Sequence, residues 1–372
     1  MKVDFIYFDA GAGHRAAATA LKSVIDSQPE KAWDIRLVNL QELLEPLDVF
    51  KRVTGLRLED IYNTMLNKGW TLGSAQGLML MHGVIRLYHS PTVRTLEGYF
   101  KQARPGMVVS LVPNFNRALY ESLHNALPEV PYITIITDFA DHPPHFWMER
   151  NQNQYFVCGT RKAVEQARAM GYADDRIFST SGMIIKPRFY EPVTVDRTVE
   201  RKLLGLDPAR PTGLVLFGGQ GSKVMLEIAE RLADTQLIFI CGRNAELAKR
   251  LQALPAKSPR FIEGFTQEVP YYMHLSDFFI GKPGPGSISE AVAMKLPVIV
   301  ERNAFTLPQE RYNADWVREN NAGMVVPNFR HVGDAVKQLS ASLDHYRASV
   351  SKIHNRAVFE IPEMLESTLK RS

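Results

Sequence analysis

Short apolar, β-rich runs alternate with helix-period segments from one end of this 372-residue chain to the other. That alternation restricts the fold to α/β, with doubly wound, mostly parallel sheets. In the first half the spacing predicts strands over 3–8, 34–40, 106–112, 132–137, 156–158 and near 177, with helices over 15–27 and 161–170. In the second half it predicts strands over 213–217, 236–241, 260–263, 278–280, 297–301 and 323–326. Helices are expected there over 224–232, 245–253, 271–275 and 332–342. The chain is longer than one hydrophobic core supports, so two domains are expected. Lys186-Pro187-Arg188 and the charged helical piece at 199–204 mark a crossover, which gives domains at 1–187 and 188–355. The remaining 356–372 segment carries a helix over 361–370.

Residues 281–313 concentrate the chemistry. Gly281, Gly284 and Gly286 free the backbone to turn and let N–H groups approach an anion, with Pro285 between the last two. Ser287 is placed to cap the helix that follows, whose positive end would face that anion. Glu290 falls on the first helical turn, within reach of ribose hydroxyls. Gln309 and Glu310 follow the strand over 297–301, at the edge where open α/β sheets bind ligands, and a paired amide and carboxylate suit vicinal hydroxyls. This is the layout of a nucleotide-sugar pocket. The blander account, a βα turn with Ser287 and Glu290 as a capping box, leaves Gln309 and Glu310 unexplained.

Three further loops follow strands. Phe8-Asp9-Ala10-Gly11-Ala12-Gly13-His14-Arg15 opens the first helix, where the dipole disfavours an imidazolium, and a neutral imidazole is what a general base needs. The same loop reads Gly11-x-Gly13-x-x-Ala16, a weak dinucleotide fingerprint. The acidic residue that fingerprint expects is missing where the second strand ends Val38-Asn39-Leu40, which argues against NAD or FAD. Thr137-Asp138-Phe139-Ala140-Asp141-His142-Pro143 closes an apolar strand, so Asp138 and His142 project from a sheet edge. Asp138 is a rival base or a partner that orients His14, against the plainer role of a turn cap. Phe217 to Lys223, with Gly219, Gln220, Gly221 and Ser222, offers a second anion-binding turn and does not follow the order of a nucleoside-triphosphatase P-loop. Lys223 and Lys282 are cationic helpers at these turns.

Together these residues resemble the monogalactosyldiacylglycerol synthases and bacterial diacylglycerol glucosyltransferases, in the same superfamily as the lipid-II-forming N-acetylglucosaminyltransferase. The likeness is sharp at 8–20, 137–147 and 281–313 and diffuse elsewhere. It implies the GT-B fold, two Rossmann-like domains facing a central cleft, the last helix crossing back to the first. It also implies a metal-independent, inverting transfer of a hexose from a UDP-sugar to the hydroxyl of diacylglycerol or a related lipid. By resemblance, His14 or Asp138 is the catalytic base, and Gly13, Arg15, His142 and Trp147 lie on the acceptor side. Glu290 holds the ribose, Gln309 and Glu310 the sugar, and the segment Glu263-Gly264-Phe265 reads the uracil, with Phe265 in the donor set. Cys241-Gly242-Arg243-Asn244 looks like the family's Cys-Gly-x-Asn turn. Where the family often has a third glycine this chain has Ala12. No cofactor is implied, the UDP-sugar being a substrate. A UDP-N-acetylglucosamine 2-epimerase or a non-catalytic sugar-nucleotide sensor would share the donor pocket.

Composition narrows partners. A net charge of +4 and an isoelectric point near 8.9 are too weakly biased to indicate nucleic acid, but suit an anionic membrane surface. Two cysteines exclude a disulfide framework and fit a reducing cytoplasm, and no Asp-x-Asp element or ligand spacing indicates a metal. Nothing at the start reads as a secretory signal, and the apolar run over 78–89 is too short to span a bilayer. Any membrane contact is therefore expected to be peripheral, at the cytoplasmic face. The 43–96 stretch mixes Leu, Met, Trp and Tyr with basic residues, including Tyr62-Asn63 and Gly69-Trp70, and reads as a lipid-facing surface or as a helical lid on the core.

Overall fold

The computed structural model describes residues 1–9, 13–28, 30–47 and 85–371. The expectations for Gly11, Ala12, Tyr62, Asn63, Gly69 and Trp70 lie outside the described residues. The chain forms two compact units. The first comprises Met1–Pro187, Leu307–Gln309 and Asn355–Ser372, and the second Arg188–Thr306 and Glu310–His354.

The first unit is built on a parallel sheet of β1 (Lys2–Tyr7), β2 (Asp34–Asn39), β3 (Met107–Ser110), β4 (Tyr132–Ile135), β5 (Tyr155–Cys158) and β6 (Ile177–Ser179). Their spatial order is β2-β1-β3-β4-β5-β6. The helices are α1 (Gly13–Asp26), α2 (Leu40–Leu44), α3 (His89–Ala103), α4 (Asn116–Ala126) and α5 (Arg161–Ala169). Side chains alternate across a strand, so one apolar strand feeds two faces. Val3, Phe5 and Tyr7 pack with Ala17, Leu21 and Ile25 of α1, whereas Ile6 packs with Leu96, Phe100, Leu119 and Leu123 of α3 and α4. Helices α3 and α4 are additions to the sequence reading. Leu96, inside the stretch read as lid or lipid face, is fully buried in this core.

The second unit contains β7 (Thr212–Leu216), β8 (Gln236–Ile240), β9 (Arg260–Glu263), β10 (Phe278–Gly281), β11 (Val298–Glu301) and β12 (Gly323–Val326), all parallel, in the order β12-β11-β10-β7-β8-β9. Its helices are α6 (Arg197–Leu203), α7 (Val224–Arg231), α8 (Ala245–Ala253), α9 (Val269–His274), α10 (Pro285–Ala293), α11 (Arg311–Glu319), α12 (Val332–Ala341) and α13 (Leu343–Ser351). The order reverses between β7 and β10, and in the first sheet between β1 and β3. Such switch points leave crevices at the carboxyl ends of the strands, where ligands of doubly wound sheets bind.

A last helix, α14 (Ala357–Leu369), belongs to the first unit, where Ile361 and Leu365 join the cluster around Leu21. It begins four residues before the expected 361 and runs through Pro362. An interior proline removes a helix hydrogen bond at a cost of about 3 kcal/mol. The buried Ala357, Val358, Ile361 and Leu365 offset that cost, which local sequence rules could not anticipate. Glu360 accepts from the Ser181 N–H at 2.8 Å, and Glu366 meets Lys31 and Lys370. Among the described residues no helix is long and apolar enough to cross a membrane.

Candidate active site

In the first unit the candidate residues gather beyond β1 and beyond β4. Gly13 and His14 start α1, so the helix begins two residues earlier than expected. His14 Nδ1 lies 3.1 Å from Thr137 Oγ1, and its ring tilts against Trp147 with centroids 5.7 Å apart. Burial disfavours the imidazolium, and although the Leu111 carbonyl pulls the other way, the pKa falls to about 4. His14 is therefore neutral at physiological pH, with burial as the largest cause. Arg15 stays exposed and pairs loosely with Asp9 at 3.4 Å.

The segment after β4 is organised by its own carboxylates. Asp141 accepts the backbone N–H of Trp147 at 2.6 Å and of His145 at 3.1 Å, which folds residues 141–147 into a tight turn that includes a cis His142–Pro143 peptide. Asn116 donates to the Trp147 carbonyl at 2.9 Å and secures the turn from α4. Trp147 is thereby fully buried, and its indole N–H donates to Asp138 Oδ2 at 2.9 Å. This corrects the acceptor-side placement of Trp147: its ring is packed between Asp138 and His14 and presents no surface to a ligand. Asp138 is itself only 7% exposed, and His142 is partly exposed. Sequence reasoning gave Thr137 and Asp141 no role. Their signal, an oxygen on each side of Asp138 beyond an apolar strand, was present but has many innocent readings.

In the second unit the candidate donor loops are shaped by backbone. Gly218 and Gly221 adopt φ of +73° and +62°, which only glycine tolerates easily, and the loop closes with the Gly221 N–H on the Gly218 carbonyl. Arg243 N–H donates to the Gly219 carbonyl at 2.9 Å and Asn244 Nδ2 to that of Gln220 at 3.3 Å, so the turns after β7 and β8 brace each other. A Cβ on Gly242 would stand 2.2 Å from the Gly219 oxygen. Asn244 also caps α8 through Leu247 N–H, and Ser222 Oγ accepts from Val224 N–H at 3.3 Å. Phe265, 54% exposed, carries the Arg243 guanidinium over its ring at 4.7 Å.

The loop after β10 differs from its sequence reading in three ways. None of Gly281, Gly284 and Gly286 has a positive φ; Gly281 is needed because a Cβ would come 2.6 Å from the Leu216 carbonyl. The helix is capped by Gly284, with Pro285 at its first position, so Ser287 sits inside the first turn and does not cap it. Glu290 consequently falls in the second turn, partly buried, and no capping box forms. The reason is Pro285, whose fixed φ and missing N–H favour the first helical position. No side chain caps this turn, and a Cβ on Gly286 would meet nothing within 4 Å. Asn313 Nδ2 donates to the Pro283 carbonyl at 2.8 Å and holds the loop from α11. Glu310, 8% exposed, pairs with Lys282 at 3.2 Å, whereas Gln309 belongs to the first unit. Among the described residues no three His, Cys, Asp or Glu side chains group as metal ligands.

Two six-stranded parallel sheets, each reversing its strand order at a switch point, are the architecture of the GT-B fold. Over 99% of this chain and all of the other, MurG from Acinetobacter baumannii superposes with a TM-score of 0.65 at 11% identity. A putative UDP-N-acetylglucosamine 2-epimerase from Listeria monocytogenes has the same fold, with a TM-score of 0.58 at 15% identity over 100% of this chain and 97% of that one. More particularly, residues 214–359 match the glycosyltransferase family 28 C-terminal domain. The chain is also homologous to the monogalactosyldiacylglycerol synthases. It is 28% identical over 340 residues to the probable monogalactosyldiacylglycerol synthase 2 of Oryza sativa subsp. japonica, across 85% of this chain and 68% of that protein.

Proposed function

We propose that this glycosyltransferase moves a hexose from a UDP-sugar to the hydroxyl of diacylglycerol or a related membrane lipid, with inversion, at the cytoplasmic face of a membrane. The observation that carries the reading is the homology to monogalactosyldiacylglycerol synthases, because it spans both units and not the nucleotide-binding half alone. The site supports it. His14, neutral and held at Nδ1 by Thr137, is a base for the proton of an acceptor hydroxyl. Asp138, held by the Trp147 indole N–H, is the rival base or the group that orients His14. The leaving UDP is received by the first-turn N–H groups of Gly286 and Ser287 and by the Gly218–Ser222 turn, fixed dipoles that stabilise charge developing in the transition state. Phe265 and Arg243 offer a flat face for the uracil, and Glu290, Gln309 and Glu310 supply acceptors for ribose and hexose hydroxyls.

The test is UDP release from UDP-glucose, UDP-galactose and UDP-N-acetylglucosamine, each with and without diacylglycerol in anionic micelles, with EDTA throughout. Lipid-dependent release in EDTA is the expected result, and the productive donor names the hexose. The fold shared with the Listeria protein favours one rival, a 2-epimerase. Conversion of UDP-N-acetylglucosamine without lipid would establish that activity instead.

A further inference from the structure

The Lys282–Glu310 ion pair does more than tie two loops together. Lys282 is the first residue beyond β10, and Glu310 stands immediately before α11. They meet beside Gly284, the residue that starts α10: a Cβ there would come 3.3 Å from the Lys282 side chain and 3.8 Å from the Glu310 carboxylate. The pair therefore occupies the mouth of the helix whose first turn has no side-chain cap. Glu310 is nearly buried, while 45% of the Lys282 side chain is exposed. A buried carboxylate needs a cation or donors, and an anion near a helix start is favoured. In the free protein Glu310 fulfils part of what an incoming phosphate would do.

We infer that Lys282 is the cation that meets the diphosphate of the donor, and that Glu310 is its internal stand-in, displaced when the phosphate arrives. This rests on the donor site proposed above and assigns its order of events. Phosphate and Glu310 compete for one ammonium; when the phosphate wins, the Glu310 carboxylate turns to the hexose hydroxyls as their acceptor. Binding the nucleotide thus prepares the sugar subsite, and an empty site keeps its two charges neutralised by each other.

Calorimetric affinities for UDP and for uridine, on the full chain, test the exchange. Glu310→Gln is expected to tighten UDP by about three- to ten-fold, because a competitor has gone. Lys282→Gln is expected to weaken UDP by about ten-fold or more, with Lys282→Arg restoring most of the loss. The double variant should match Lys282→Gln alone, since Glu310 acts on the nucleotide only through Lys282. Uridine affinity should not change in any variant, which also shows that the pocket has folded. Unchanged or weaker UDP binding by Glu310→Gln, additive effects in the double variant, or no rescue by arginine would overturn the exchange and leave the donor site standing. Failure of the unaltered protein to bind either UDP or uridine would instead remove the donor site itself.

Discussion

The two crevices solve their tasks with opposite materials. In the first unit the chemistry sits on side chains: His14 meets Thr137 and Trp147 from more than 120 residues away, and Trp147 in turn holds Asp138. In the second it sits on main chain: glycine turns after β7 and β10 and an uncapped helix start, held by bonds within each loop, by Arg243 and Asn244 from the turn after β8, and by Asn313 from α11. A base must carry a pKa, and only a side chain can be tuned by its surroundings. A diphosphate needs N–H groups and room, which backbone supplies without a side chain to order.

The sharpest way to break this contrast is His14→Ala. Lipid-dependent transfer should fall by about 10²–10⁴-fold, the range of a positioned general base, with calorimetric UDP affinity unchanged. Parallel losses of both would mean that the two crevices are not separable. Next, Gly286→Ala and Gly242→Ala compare room with strain. The first should fold normally, since nothing lies within 4 Å of the new methyl, yet lose UDP affinity by about ten-fold or more. The second, at φ +60° and 2.2 Å from the Gly219 oxygen, should lower the thermal midpoint. Trp147→Phe keeps an aromatic ring but removes the N–H from a buried carboxylate and leaves a void where the indole was, an expected loss of at least about 1–3 kcal/mol in denaturant unfolding. Transfer should drop with it while UDP binding holds.

The smallest effect is in pH. The folded His14 pKa lies below the unfolded value, so its neutral form is favoured by folding. That stability is present above about pH 6.5 and is lost as pH falls toward about 4. The acidic limb of kcat/KM should likewise fall near 4 instead of 6.5. A limb near 6.5, removed by His14→Ala, would show the imidazole to be solvated in the working enzyme.

The same contrast decides what could be read from sequence. Strand alternation and the donor loop were legible because each is local: a glycine, a proline and a strand end within ten residues leave a pattern. Ser287 was misplaced as the cap because Pro285 outweighs it by fixing φ. Trp147 was misread because an aromatic beside a polar motif looks the same facing solvent or facing Asp138. That difference is made by Asp141 and Asn116, whose hydrogen bonds only the folded chain displays. Helix α14 began early for a similar reason, its apolar face answering to Leu21 and Ile25 and not to Pro362.

That last helix sets a timetable. The second unit is drawn almost wholly from residues 188–354, whereas the first takes its closing helix from 357–369. Emerging from a ribosome, the chain can finish the nucleotide half before the half that begins it, because the cover over Leu21 and Ile25 stays incomplete until Ile361 and Leu365 are made. A nascent or C-terminally clipped protein should therefore bind UDP while exposing an apolar seam on α1, which makes that seam the place where chaperones or aggregation would act first.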